Sequence, residues 1–181
     1  MKNIKLIIAY DGSSYLGWQA SKEGKTIEGT LKEALEMVLQ EDIFLQAASR
    51  TDAGVHAKEQ VVNFHTENFS INFDQLTFSL NQLLPSSIRI YQAEEVLPSF
   101  HPTTDSLGKE YHYFVSERTI LSPFERHFSW HITKPLDREK MLLASRFFVG
   151  THDFASFCNV SASPPKKTIC TLSKLNIIQE D

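Results

Sequence analysis

The way hydrophobic periodicity alternates along residues 4–96 restricts the fold more than any single motif does. IKLIIAY (4–10) is a short apolar run of the kind that forms a buried strand. From Ile27 the period changes: Ile27, Leu31, Leu35, Val38 and Leu39 fall on one face of a helix, with Thr26 placed to cap it. IFLQAA (43–48) and QVVNFHT (60–66) return to strand-like runs. A second helical face follows at Phe73, Leu76, Leu80, Leu83 and Leu84, with Asn72 as its cap and Pro85 as its stop. SIRIYQAEEV (87–96) closes the set as a strand. The order β-α-β-β-α-β is the split-βαβ, ferredoxin-like pattern of an α+β domain.

The rest of the chain starts the same pattern again and stops early. Residues 1–97 form the first domain, 98–108 a connector carrying Pro98 and Pro102, and 109–181 a second domain. In that domain KEYHYFVSE (109–117) reads as a strand with Tyr111, Tyr113 and Val115 on one face. Asp137 caps a helix bearing Met141, Leu142, Ser145, Phe148 and Val149, which Gly150 closes, and TICTLSKLNII (168–178) is a last strand. A bare β-α-β set leaves a sheet edge and an apolar face uncovered. The expectation is therefore a second ferredoxin-like subdomain that is incomplete, in a chain truncated at its C-terminal side. CNVSASPPKK (158–167) is a loop, either plainly solvated or offering Lys166-Lys167 to a phosphate.

Composition narrows the function classes. Two cysteines without a CxxC pair exclude a disulfide framework and a zinc knuckle, and suit a reducing, cytoplasmic setting. The apolar N-terminal run meets Asp11 too soon for a signal peptide or a membrane span. A net charge of −4 is not the footprint of a typical nucleic-acid binder, although a local basic cleft is what neutralises phosphates. No P-loop and no GxGxxG is present to cradle a nucleotide phosphate. His127 and His131 have i, i+4 spacing, but HFSWH lacks the HExxH glutamate and reads as an aromatic extended segment rather than a metal site.

One loop carries chemistry. In SRTDAGVH (49–56), Asp52 has Arg50 two positions before it and Gly54 two after. Taken alone, T-D-A-G is a turn whose aspartate bonds its own backbone. With a guanidinium within ~4–6 Å, the same carboxylate would stay ionised in a partly desolvated place, which suits a nucleophile or a base. A Ser49–His56–Asp52 hydrolase is a third reading, though no nucleophile elbow accompanies it. Lys109 and Tyr111, spaced i and i+2, would share a strand face, either as ordinary packing or as a cation and a ring for a phosphate and a flipped base.

These residues resemble the bacterial tRNA pseudouridine synthase A family in four separated motifs. They are DGSSYLGWQ (11–19), RTDAGVH (50–56), SFHPTTDSLGKEYHY (99–113) and GTHDFASF (150–157). The resemblance implies an isomerase that converts uridine to pseudouridine on the 3′ side of the tRNA anticodon stem-loop. It implies no cofactor and no metal, a homodimer, and an active cleft between two domains. It makes Asp52 the catalytic aspartate, as nucleophile or base, and Arg50 its ion-pair partner. Tyr111 is the tyrosine that packs on the target base, and Lys109 and His56 are further substrate contacts. It also implies a missing C-terminal segment that would complete the uracil pocket. Pro102-Thr103 stand where many members of that family have arginine after the Phe-His pair. A non-enzymatic RNA-binding module of the same fold is the alternative.

Overall fold

A computed structural model describes residues 1–158 and 167–179. The chain divides into two compact units, Met1–Tyr111 and His112–Asp181.

The first unit is a four-stranded sheet with two helices. Its elements are β1 (Lys2–Tyr10), α1 (Ile27–Leu39), β2 (Gln46–Ala47), β3 (Ala57–Thr66), α2 (Phe73–Leu83) and β4 (Ile88–Val96). The strand order is β2-β3-β1-β4, and every neighbouring pair is antiparallel. Alternation along β1 buries Ile4, Leu6, Ile8 and Tyr10 on one face, where Val62 and Phe64 of β3 join them. Helix α1 adds Ile27, Leu31, Ala34 and Leu35 to this core, and α2 adds Leu76 and Leu80. Full burial of each large aliphatic side chain contributes roughly 1.5–3 kcal/mol, so this face holds the unit together.

Both expected caps are present. Gly29 N–H donates to Thr26 Oγ1 at 3.2 Å, and Gln75 N–H donates to Asn72 Oδ1 at 2.9 Å. Strand 43–48 shrinks to Gln46–Ala47. Ile43 and Leu45 are nonetheless buried, so the apolar run reported core contact rather than sheet pairing.

The opposite face of the sheet carries a polar latch. Asn3 Nδ2 donates to Leu97 O at 3.1 Å and to Phe100 O at 2.9 Å, and Asn63 Nδ2 donates to Asn3 Oδ1 at 2.7 Å. Thr103 Oγ1 donates to Ala47 O at 2.8 Å, and Pro102 is buried. The segment after β4 is thereby fastened to β1, β3 and β2.

The second unit contains β5 (Val115–Ser116), β6 (Trp130–His131), α3 (Arg138–Ser145), β7 (Gly150–Asp153), a short 3-10 turn (Ala155–Phe157) and β8 (Ile169–Leu172). β5 pairs with β6 in parallel, and β7 pairs with β8 antiparallel. The long strand expected over 109–117 reduces to Val115–Ser116. The strand expected over 168–178 reduces to Ile169–Leu172. Helix α3 keeps its cap, with Lys140 N–H donating to Asp137 Oδ1 at 3.0 Å, but ends before Phe148 and Val149. The common cause is burial: among the described residues of this unit no apolar side chain is fully buried. Amphipathic segments extend only where a core rewards them. Glu117 organises what is there. Its carboxylate accepts from Leu136 N–H at 2.7 Å and pairs with Arg138 at 2.8 Å, and those bonds, the backbone one first, hold it below the usual glutamate range. Pro164, Pro165 and Lys166 of the expected loop lie outside the described residues.

Candidate active site

Residues 48–56 link β2 to β3, and the segment 11–19 forms a cradle beneath them. Trp18 N–H donates to Thr51 O at 2.9 Å, and Gly54 N–H donates to Tyr15 O at 3.3 Å. The tyrosine side chains complete the support. Tyr10 and Thr51 share a hydroxyl–hydroxyl bond of 2.8 Å, and Tyr15 Oη lies 2.7 Å from Ser87 Oγ. Two glycines permit the approach. A Cβ on Gly12 would stand 2.0 Å from Val55 O, and one on Gly17 would stand 2.7 Å from Thr51 O. The motifs DGSSYLGWQ and RTDAGVH are thus two sides of one backbone contact.

The loop turns where the sequence indicates. Val55 N–H donates to Asp52 O at 3.2 Å, and Gly54 adopts φ +78°, the third position of a type II turn. The turn uses the Asp52 carbonyl, not its side chain. Three other aspartates spend their carboxylates on local backbone: Asp11 accepts from Ser13 N–H, Asp137 from Lys140 N–H and Asp153 from Ala155 N–H. Asp52 is exposed, and among the described residues its carboxylate accepts no hydrogen bond and joins no ion pair. The backbone is committed and the carboxylate is not.

Arg50 does not pair with Asp52. Thr51 turns inward to Tyr10, which leaves its two neighbours pointing outward, and Arg50 is exposed with no ion pair among the described residues. With both side chains exposed, the desolvated ion pair expected from sequence is not what this loop presents. The hydrolase arrangement is also absent. His56 Nδ1 lies 3.2 Å from Gly12 N and 3.1 Å from Asp11 Oδ1, so the ring is engaged with the cradle rather than with Ser49. One nitrogen serves these partners alternately: neutral, it accepts the Gly12 N–H; protonated, it donates to Asp11.

Lys109 and Tyr111 are exposed, the tyrosine at 64%, and lie outside any strand. The shared strand face expected for them does not form. No hydrogen bond, ion pair or ring contact joins either residue to the Asp52 loop. His131 of the HFSWH segment bonds Arg118 O at 2.6 Å, and His127 accepts from Arg126 Nε at 2.8 Å. Of the segment expected to be extended only Trp130–His131 is; His127 and Phe128 lie in a turn closed by Phe128 N–H donating to Glu125 O at 2.9 Å.

Two contributors to the site escaped the reading of the sequence. Tyr10 ends β1 at 4% exposure, and burial raises its phenol above the ordinary value while hydrogen bonds from Thr51 and Gln60 pull it back. Gln60 shares the core face of β3 with Val62 and Phe64 and is 6% exposed. The signal for Gln60 was present in Q-V-V-N-F: a carboxamide at an alternating position where an aliphatic residue belongs.

Cradle, type II turn and outward-facing carboxylate define a loop scaffold built to present one acid on an α/β domain. A family model described as tRNA pseudouridine synthase matches residues 6–104, the span holding every element of that scaffold. "tRNA pseudouridine synthase A 2" of Protochlamydia amoebophila is 47% identical over 159 residues, covering 88% of this chain and 61% of that protein. "tRNA pseudouridine synthase A 1" of the same organism is 42% identical over 96% of this chain and 68% of its own length. "tRNA pseudouridine synthase A" of Acetivibrio thermocellus is 40% identical over 100% of this chain and 73% of its own. The chain therefore spans less than two thirds of the first of these relatives. It belongs to the tRNA pseudouridine synthase family.

Proposed function

We propose that this chain carries the catalytic loop of a tRNA pseudouridine synthase, an isomerase acting on uridine in the anticodon stem-loop, with Asp52 as its catalytic carboxylate. The observation that carries the reading is the uncommitted Asp52 side chain on a backbone held from beneath by residues 10–18. The names of the relatives supply tRNA as the substrate. Element order β-α-β-β-α-β with strand order β2-β3-β1-β4 supports a ferredoxin-like first domain. The second unit belongs to another such domain, and the working form is a cytoplasmic homodimer. No helix among the described residues is long and apolar enough to cross a membrane.

The reaction needs little beyond a positioned acid. The N1–C1′ bond breaks, uracil rotates, C5 bonds C1′, the C5 proton leaves and the freed N1 takes up a proton, so substrate and product are isomers. Asp52 acts on the ribose, as nucleophile at C1′ or as base toward a ribose proton. Arg50 is equally uncommitted, and it meets the carboxylate or a phosphate once bound RNA excludes water, since catalytic contacts often tighten only in the complex. Tyr111 stacks on the everted base, offsetting ~1–3 kcal/mol of a flipping cost of a few kcal/mol. Lys109 meets the backbone phosphate, and His56 ties the loop to Asp11 and Gly12.

The test is Asp52→Asn, with pseudouridine read by carbodiimide-blocked primer extension and tRNA affinity by filter binding. Pseudouridine formation should vanish while binding survives. Substantial turnover by the variant would end the assignment. Binding without turnover by the unaltered chain would favour an RNA-binding module.

A further inference from the structure

Main-chain pairing between β2 and β3 reaches Ala48, whose N–H donates to Val61 O at 2.9 Å, and then stops. At the next residue a side chain takes over. Gln60 Nε2 donates to Ser49 O at 2.5 Å, and Ser49 N–H donates to Gln60 Oε1 at 3.3 Å. The carboxamide imitates the missing peptide of a neighbouring strand and extends the ladder by one rung toward Asp52. We propose that Gln60 is a positioning residue for the proposed pseudouridine synthase site: its two-point grip on Ser49, continued by the Tyr10–Thr51 bond, sets the backbone from which Arg50 and Asp52 project.

Energetics favour this assignment over simple core filling. Gln60 lies opposite Ile8 in the strand register and is almost fully buried. An aliphatic residue would fill that slot with no amide to desolvate, whereas a buried carboxamide is costly unless both of its ends are bonded. Both ends are bonded, and these two bonds go to the N–H and C=O of one residue, three positions before Asp52. Ser49 is only partly buried, so water could have satisfied it instead. Direct bonds to a buried side chain fix a direction that water would leave loose. With Trp18 and Tyr10 on Thr51, the chain is held at 48, 49 and 51 immediately before Asp52.

The proposal rests on the functional reading above, and its test separates the two. Gln60→Met keeps volume and loses both bonds; Gln60→Glu keeps the acceptor and loses the donor. Each is compared with the unaltered chain for unfolding midpoint, amide hydrogen exchange, kcat on tRNA transcripts and tRNA Kd. Both variants should fold, and exchange across residues 49–55 should rise at least tenfold while exchange in α1 stays unchanged. Loss of positioning by ~1 Å costs up to about 10²-fold in rate, so kcat should fall by about 10–100-fold with Kd within about twofold. Unaltered exchange at 49–55, or raised exchange with unaltered kcat, would overturn the proposal while leaving Asp52 in its role. An active Asp52→Asn variant would defeat the functional reading instead. If the chain shows no turnover, or Gln60→Met fails to fold, exchange in the Gln60→Glu protein decides alone.

Discussion

Replacing Gly12 with alanine tests whether the two motifs are one contact. The added Cβ would lie 2.0 Å from Val55 O and 2.7 Å from its carbonyl carbon, and real Cβ contacts essentially never fall under 3.0 Å. Because the obstacle is backbone, no side chain can swing away: either segment 11–13 or the 52–55 turn must move by about 1 Å, going from 2.0 Å to at least 3.0 Å. Overpacking of this kind costs typically ~1–3 kcal/mol, and the stiffer unfolded chain of an alanine variant returns ~0.4–1 kcal/mol, leaving a net loss of about 1–2 kcal/mol. The Gly12 N–H bond to His56 and the Tyr15 N–H bond to Gly12 O are strained by the same shift. Displacement on this scale should also lower turnover by about 10²-fold. Gly108→Ala is the control, since a Cβ there meets nothing within 4 Å. Urea unfolding and single-turnover kinetics on the two variants measure both effects. A Gly12→Ala protein as stable as Gly108→Ala, with turnover within about twofold of the unaltered chain, would refute the close-approach argument.

Two further outcomes follow from the same geometry. Tyr10 is raised from an ordinary phenol value of 10.0, chiefly by burial, so the folded state ionises later than the unfolded one. Its contribution is whole below that pH and is lost as pH rises through the folded value; urea midpoints should drop there together with the rise of tyrosinate absorbance, and Tyr10→Phe should flatten the drop. In the latch on the opposite sheet face, Asn3→Ala removes the partner of Asn63 Nδ2, Leu97 O and Phe100 O. Asn63 Nδ2 keeps a long contact to Phe100 O at 3.5 Å, so at ~1–3 kcal/mol for a buried group left poorly paired, equilibrium unfolding should register about 1–3 kcal/mol, and proteolysis at 98–106 should quicken; an unshifted urea midpoint would refute the latch.

Legibility followed burial. Where a face meets a core, the sequence pattern and the structure agree on element type and core face, although β2 shortens to Gln46–Ala47 and β3 begins three residues early: Thr26 and Asn72 cap their helices, and the alternation in β1 and β3 marks the core face. In the second unit the apolar residues of α3 and of 109–117 remain exposed, so periodicity announced elements that lack the burial to extend them. The site divides in the same manner. The turn at Gly54 could be read locally, because a positive φ is a property of one residue. The Arg50–Asp52 pair is not formed in this loop because spacing along the chain does not fix where a side chain points; the inward Thr51, held by Tyr10 from 41 positions away, decides that. The partners of Gln60 and Gly12 could not be read for the related reason that each acts on a backbone group distant in sequence, Ser49 in one case and Val55 in the other. What local pattern leaves out is the support of the acid rather than the acid itself, and in this loop the support is what turns an ordinary turn aspartate into a presented one.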